Sequence, residues 1–208
     1  MKTFGDDMMG RIKASGAKVL ITPCSDCYYT FKYLYPKNGL DLRIKVLHTT
    51  EYADMLIKEG KLKPRKKVDL RVTYHDPCHL GRRGEIYRSG WNGDVKLMRP
   101  VRFKQSGMLG IFDPPRNIIK SIPGINFVEM ERIREYSWCC GAGGGVYEAY
   151  PEFASWTANE RILEAKQTGA DAIVTACPWC ERIFKDEIEA NSLGIKVYDV
   201  VDLLFMSV

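Results

Sequence analysis

The feature that most constrains this chain is a repeat that includes its cysteines. Shifting the sequence by 153 positions places residues 16–24 on residues 169–177, and the same shift places Cys27 on Cys180. The two segments share an apolar run that ends in Cys-x-x-Cys. We therefore expect them to fold alike, with their Cys-x-x-Cys loops facing a shared cleft.

The repeat divides the chain into three parts. Residues 1–60 read as the second half of a first unit, and residues 70–208 read as a whole second unit. A loop at about 90–115 is predicted to be an insertion, because it fits neither a strand nor a helix period. Residues 61–69 form a basic segment, either a solvated linker or a docking patch for an acidic partner. No aromatic residues are interspersed among these charges, so nucleic-acid binding is not predicted.

Strands and helices alternate along both units. Apolar runs predict strands at 18–22, 43–47, 70–74, 172–175 and 195–198. Helices are predicted at 8–15, after the first Cys-x-x-Cys, after a cap at Thr49 or Thr50, at 153–167, at 181–191 and at the C-terminus. This order predicts an α/β fold of two similar parallel-sheet lobes from an internal duplication, the first lobe incomplete. In such sheets functional groups gather beyond the carboxyl ends of the strands, where the cysteines fall.

Composition limits the cellular setting. The chain is 45% hydrophobic and 27% charged, with a net charge of +5, which is typical of a globular protein. It has no apolar run long enough to span a bilayer and no apolar signal core near Asp6 and Asp7. Seven clustered cysteines indicate metal or redox chemistry in a reducing compartment. We therefore expect a cytoplasmic protein.

The cysteine spacing favours an iron–sulfur cluster over zinc. Thiolates select zinc, copper(I) and iron–sulfur clusters, and the adjacent Cys139 and Cys140 can address two neighbouring metals. A zinc ribbon usually pairs two Cys-x-x-Cys knuckles about 15 to 20 residues apart. Here the knuckles belong to different units. Zinc and buried structural cysteines remain the alternatives.

The motifs 75–82 (HDPCHLGR) and 138–145 (WCCGAGGG), followed by Cys177-x-x-Cys180, resemble the cysteine-rich CCG domain. This family includes heterodisulfide reductase catalytic subunits and the iron–sulfur component of sulfite-reduction membrane complexes. The resemblance implies a non-cubane [4Fe-4S] cluster on five cysteine ligands. Those ligands would be Cys78, Cys139, Cys140, Cys177 and Cys180.

The first unit departs from the family pattern. Its leading cysteine and its Cys-Cys-Gly are absent, so Cys24 and Cys27 cannot form a family-type cluster alone. The resemblance implies that another chain, or a longer polypeptide, supplies that half. These two cysteines are then candidates for a second iron–sulfur cluster shared with the missing half-unit.

Glycines and histidines flank the cysteines. Gly141, Gly143 and Gly144 are predicted to bring backbone N–H groups close to a cluster, with a phosphate cradle as the weaker reading. His75 and His79 flank Cys78 and are read as hydrogen-bonding groups or turn residues around the site, or as proton donors in disulfide reduction.

Two redox functions follow from the resemblance. The chain would be an iron–sulfur subunit that passes electrons to a disulfide, or a pure electron relay between a flavoprotein and a quinone or ferredoxin-type partner. The sequence carries no flavin fingerprint and no membrane span, so its partners would be other subunits: a flavoprotein, a ferredoxin-like protein or a membrane quinone-reactive subunit on whose cytoplasmic face it sits. The third reading is a zinc-stabilised interaction module.

Overall fold

The structure is a computed structural model that describes residues 2–85 and 107–208. Most of the predicted insertion at 90–115 lies outside these residues. The described strands are β1 Val19–Thr22, β2 Lys45–His48, β3 Leu70–Tyr74, β4 Ile125–Phe127, β5 Ala172–Thr175 and β6 Lys196–Asp199. The described helices are α1 Lys2–Ala14, α2 Ser25–Tyr29, α3 Tyr35–Lys37, α4 Thr49–Lys58, α5 Asp113–Ser121, α6 Val146–Ala149, α7 Pro151–Gln167, α8 Pro178–Ala190 and α9 Val200–Ser207, with a π-helical turn at Thr30–Leu34.

The strands form two parallel sheets, which confirms the α/β class. The first sheet pairs β1 with β2, and the second has the order β4-β3-β5-β6. In the second sheet β5 lies between β3 and β6, with Thr73 opposite Ile173 and Ile173 opposite Val197. We call residues 2–60 the N-terminal lobe and the described residues from 70 onward the C-terminal lobe.

The two lobes repeat the same local structure. α1 ends at Ala14 and α7 at Gln167, and each is followed by a glycine with positive φ, Gly16 at 68° and Gly169 at 70°. β1–α2–β2–α4 then follows the same order as β5–α8–β6–α9. The second helix of each pair begins with a capping box, at His48 with Glu51 and at Asp199 with Asp202.

Several predicted boundaries were wrong. The cap of α4 is His48 and not Thr49 or Thr50, because the His48 side chain accepts the Thr50 N–H. α8 begins at Pro178, three residues before the predicted start, since proline is tolerated in the first turn of a helix. The last residues of the predicted 90–115 loop already belong to α5, which begins at Asp113 with prolines in its first turn.

One hydrophobic core joins the lobes. It combines Tyr28 and Val46 of the N-terminal lobe with Tyr74, Ile118 and Val174 of the C-terminal lobe, all of them buried. Helix α5 packs against both α4 and α9 and so connects the two repeats. A second core lies between the other face of the larger sheet and helices α7 and α8, and it includes Cys140, Cys177 and Cys180. The cysteines are therefore anchored in a packed region.

The basic segment 61–69 is hydrogen-bonded to the C-terminal end of the chain. The backbone N–H groups of Arg65 and Lys66 donate to the carbonyl of Ser207, at 2.7 and 2.8 Å. This segment is thus fixed to the last turn of α9, whether or not its side chains dock a partner. Among the described residues, no helix is both long and apolar enough to cross a membrane.

Candidate metal centre

Six of the seven cysteine sulfurs form a continuous series of contacts. Neighbouring side chains in the series are within hydrogen-bonding distance, and the Cys180 and Cys140 sulfurs are 3.1 Å apart. In spatial order the series is Cys78, Cys139, Cys140, Cys180, Cys177 and Cys24. The structure therefore brings together all five predicted ligands and adds Cys24. Cys27 is exposed and is not part of the series.

Strand ends and a helix N-terminus position these sulfurs. Cys78 follows β3, Cys24 follows β1 and Cys177 follows β5. Cys177 is also the N-cap residue of α8, with an extended backbone, and Cys180 lies in the first turn of that helix. The N-terminus of a helix carries partial positive charge, which favours thiolates there.

Two of the sulfurs are poised as thiolates. Hydrogen bonds from the Cys140 and Cys78 thiols lower the pKa of Cys139 far below its usual value. Hydrogen bonds from Cys180 and Cys24 lower the pKa of Cys177 to about 2. The donors respond in the opposite direction, since donating to a neighbouring sulfur raises the pKa of Cys78 and of Cys24. Cys139 and Cys177 therefore deprotonate first, and the thiolate is the form that binds metals.

The glycines after Cys140 differ in what they contribute. The N–H of Gly141 donates to the Cys139 sulfur at 3.3 Å. Its φ is +89°, and a Cβ there would lie 2.6 Å from the Ala154 carbonyl oxygen, so only glycine fits. Gly143 lines the space beside the sulfurs, whereas Gly144 is exposed. The N–H of Gly141 is therefore directed at a cysteine sulfur, and Gly144 has no described contact with one.

His75 lies against the sulfur series from inside the core. It is 1% exposed, and a nitrogen of its ring lies within 4.8 Å of the Cys140 and Cys180 sulfurs. Its Nδ1 accepts a hydrogen bond from Arg161 Nε at 3.1 Å. Burial, assisted by the Arg161 charge, lowers the pKa of His75 to about 3. The ring is therefore neutral at physiological pH.

His79 connects the lobes at the mouth of the site. Its ring stacks on Tyr29, with centroids 5.0 Å apart, and its Nδ1 contacts the Asp26 carboxylate. Nearby, Ser25 Oγ donates to the Ala176 carbonyl at 2.7 Å. The Cys-x-x-Cys loops therefore face each other, and the cavity between them has a volume of only about 10 Å³.

Sequence reasoning missed three buried groups beside the site. His48 is 1% exposed, and its ring lies close to the carbonyls of Pro23 and Ala176, the residues before Cys24 and Cys177. The sequence signal for His48 was Glu51, three residues later, because the two residues form a capping box. The same pattern recurs at Asp199 with Asp202. Arg161 carried no sequence signal, because it meets His75 only in the fold.

The third missed group is a buried ion pair. Arg116 of α5 donates through two nitrogens to Asp76, at 2.6 and 2.8 Å, and it also reaches Glu129. Asp76 additionally accepts the backbone N–H of Arg134 at 2.8 Å. This network fixes the segment between His75 and Cys78 and thereby holds one end of the sulfur series.

The donor set fits an iron–sulfur group. Six contiguous sulfurs exceed the four ligands of a tetrahedral zinc, and soft sulfur ligands are those of iron–sulfur clusters. Trp179 lines the cavity, whereas Trp138 is 40% exposed and has Arg132 3.9 Å over its ring.

Comparison with known proteins agrees with this arrangement. The profile of the CCG cysteine-rich domain matches residues 1–32 and 101–185, just over half of the chain. The chain belongs to the CCG cysteine-rich domain family. Both matched segments contain a Cys-x-x-Cys, and the second also contains the adjacent Cys139 and Cys140.

Curated relatives extend the similarity across nearly the whole chain. One subunit of the dihydromethanophenazine:CoB–CoM heterodisulfide reductase of Methanosarcina acetivorans is 38% identical over 93% of this chain and 41% of its own length. One subunit of a CoM/CoB fumarate reductase of Methanothermobacter marburgensis is 37% identical, over 92% of this chain and 33% of its own length. A probable iron-sulfur-binding oxidoreductase of Bacillus subtilis is 34% identical, over 96% and 25%. The chain spans at most about two fifths of the length of these relatives.

Proposed function

We propose that this chain is part of an iron–sulfur subunit of a heterodisulfide reductase-like oxidoreductase complex. It binds a non-cubane four-iron cluster through the five predicted cysteines and transfers electrons to a disulfide or a similar acceptor. The observation that carries this proposal is the contiguous series of sulfurs from the segments around Cys78, Cys139 and Cys177. The names of the relatives support the redox class.

The residues of this chain would hold the cluster and tune its environment. Such a cluster supplies one-electron transfer when it is bound. Cys139 and Cys177 offer thiolates without further activation, and Gly141 directs its N–H at the Cys139 sulfur. Trp179 lines the cavity and would limit the access of water to the cluster, which affects the reduction potential.

The pair Cys24 and Cys27 remains a candidate for a second cluster. Cys24 contacts the Cys177 sulfur, whereas Cys27 is exposed. Two thiols do not complete a four-iron site, so the remaining ligands would come from a further half-unit. This second cluster would then lie next to the first, across the contact between the lobes.

Partner subunits would deliver and remove the electrons. Two of the relatives are themselves named as subunits. We propose a flavoprotein, a ferredoxin-like protein or a membrane quinone-reactive subunit as the partner, with this chain in the cytoplasm or on the cytoplasmic face of the complex. A pure relay role between such partners is the alternative within the same redox class.

One observation favours a zinc site instead. His75, Cys140 and Cys180 place their ligand atoms within 4.8 Å of one another, which is close to the three-residue set of a zinc centre. Zinc would leave Cys78, Cys139 and Cys24 without a metal, although their sulfurs continue the same series. The iron–sulfur proposal accounts for more of the site.

Metal analysis distinguishes the two proposals. After anaerobic purification we expect about four iron and about four labile sulfide per chain, as a four-iron cluster requires. Mössbauer spectroscopy of the same sample should then show iron sites that differ from those of a cubane cluster. Stoichiometric zinc without labile sulfide would contradict the proposal.

A further inference from the structure

His75 is held in one orientation by its surroundings. Its backbone N–H donates to the carbonyl of Val174 at 2.8 Å, which ties it to β5. Its ring packs edge-on against Phe184, with centroids 5.0 Å apart and planes at 90°. Because the residue is buried on all sides, a flip of the ring would require the core to open.

Arg161 determines which ring nitrogen carries the proton. A guanidinium group only donates hydrogen bonds, so Nδ1 of His75 must accept the bond from Arg161 Nε. The proton of the neutral imidazole therefore lies on Nε2. Arg161 is fully buried and is itself fixed, because it donates to Glu164 at 2.5 Å and to Ser137 Oγ at 3.1 Å.

Among the described residues, the remaining Nε2–H is a buried donor without a partner, on a ring that lies beside the sulfur series. In the described part of the chain, Nε2 of His75 has no hydrogen-bond partner. A ring nitrogen of His75 lies within 4.8 Å of the Cys140 and Cys180 sulfurs, and Nδ1 is already occupied by Arg161. Buried donors in folded proteins are nearly always paired. The nearby sulfur groups are the partners that this site offers.

We propose that His75 donates an Nε2–H···S hydrogen bond to the iron–sulfur group held by Cys140 and Cys180, and that Arg161 is the positioning residue that fixes this tautomer. The proposal rests on the cluster of the proposed function. Reduction places additional negative charge on the sulfurs, so a donor stabilises the reduced form more than the oxidised form. The hydrogen bond therefore raises the reduction potential.

The N-terminal lobe shows that this helix does not need the arginine in order to pack. At the positions of α1 that match Arg161 and Glu164 of α7, the sequence has Met8 and Arg11. Both helices nevertheless precede the same glycine, strand and Cys-x-x-Cys loop. The buried Arg161–Glu164 pair is thus a feature of the lobe with the full sulfur series.

The test compares reduction potentials of anaerobically purified variants at equal iron content. His75→Leu removes the donor, and His75→Gln keeps an amide N–H near the Nε2 position. Arg161→Met with Glu164→Gln releases the tautomer and removes both charges of the buried Arg161–Glu164 pair. Thr73→Val is the matched control, because Thr73 is buried in β3 two residues before His75 and its hydroxyl also has no partner among the described residues. Electron–nuclear double resonance in H₂O and D₂O reports an exchangeable proton near the cluster.

We expect His75→Leu and the Arg161/Glu164 double variant to shift the potential to more negative values, with loss of the exchangeable-proton coupling in His75→Leu. His75→Gln should recover part of the shift, and Thr73→Val should match the wild type. An unchanged potential in His75→Leu overturns the inference, as does loss of iron as complete as in Cys139→Ser, which would make His75 a ligand. If His75→Leu does not fold, a wild-type potential in the Arg161/Glu164 double variant overturns it instead. A wild-type chain without iron and sulfide contradicts the proposed function itself, and this inference with it.

Discussion

The two lobes share a local fold, yet they bury equivalent residues to very different extents. Val19 and Ile21 of β1 are 40% and 39% exposed, whereas Ala172 and Val174 of β5 are completely buried. β5 has a neighbour on each side, while β1 is paired only with β2 among the described strands. The same sequence pattern therefore specifies strand, loop and helix, and the surrounding sheet decides what becomes core.

The cysteine pairs follow the same contrast. Cys177 and Cys180 are buried, and both belong to the hydrophobic core between the sheet, α7 and α8. Cys24 is half-buried and Cys27 is exposed. The cysteines of the C-terminal lobe are therefore held in place by dense packing, and those of the N-terminal lobe are not. Substitutions at matching positions of the two lobes should differ in their effect on stability.

The largest effect is expected from a charge placed at matching positions of β1 and β5. Val174→Asp puts an unpaired carboxylate in the core and should destabilise the chain by about 3–5 kcal/mol or prevent folding. Ile21→Asp, at the matching position, should cost about 1 kcal/mol because its side chain reaches solvent. Urea unfolding followed by circular dichroism measures the free energy of unfolding of both variants and of the wild type. Equal losses would show that β1 is as buried as β5.

Truncating the matched phenylalanines should give a smaller contrast. Phe184 is fully buried against His75, so Phe184→Ala should cost about 3–5 kcal/mol. Phe31 is only half-buried beside Tyr35, and Phe31→Ala should cost roughly half as much. The same unfolding experiment tests this pair. A costlier loss at Phe31 would mean that the π-helical turn at Thr30–Leu34 carries more of the core than its exposure indicates.

The smallest effect concerns the cap of α9. Asp199→Ala removes the acceptor for the Val201 N–H and should be about 1 kcal/mol less stable than Asp199→Asn, which keeps one. Burial raises the pKa of Asp199 to about 7, above its value in the unfolded chain. The folded wild type therefore binds more protons between pH 4 and 7 and loses stability as the pH rises through that window. Asp199→Asn should flatten this dependence, and unchanged slopes in thermal melts from pH 4 to 8 would contradict it.

Sequence reasoning located the parts of this fold that depend on local pattern. The strands at Leu70–Tyr74 and Ala172–Thr175 were predicted with these bounds, because each is an apolar run between clear breaks. β4 was missed, since Ile125–Phe127 is too short for a periodic signal. α5 was hidden by the prolines in its first turn.

The site residues also divide into those that a local sequence pattern reveals and those that meet only in the fold. Cys78 and Cys177 follow neighbouring parallel strands and therefore meet at one edge of the sheet, as the predicted topology requires. The set of five proposed ligands came from the resemblance to the CCG domain. The contact between Arg161 and His75 joins residues that are 86 positions apart, and no local pattern encodes it. His48 was missed because histidine is an unusual capping residue, and its place between the two cysteine loops depends on how the lobes pack.

The central claim is that the C-terminal lobe alone supplies the cluster ligands, and paired substitutions at matching positions test it most directly. Iron and labile sulfide should be measured in anaerobically purified Cys24→Ser/Cys27→Ser and Cys177→Ser/Cys180→Ser double variants, beside the wild type. We predict that the first variant keeps nearly the wild-type content, and that the second loses almost all of it. Equal loss in both variants would show that Cys24 and Cys27 are ligands of the same centre and would contradict the claim.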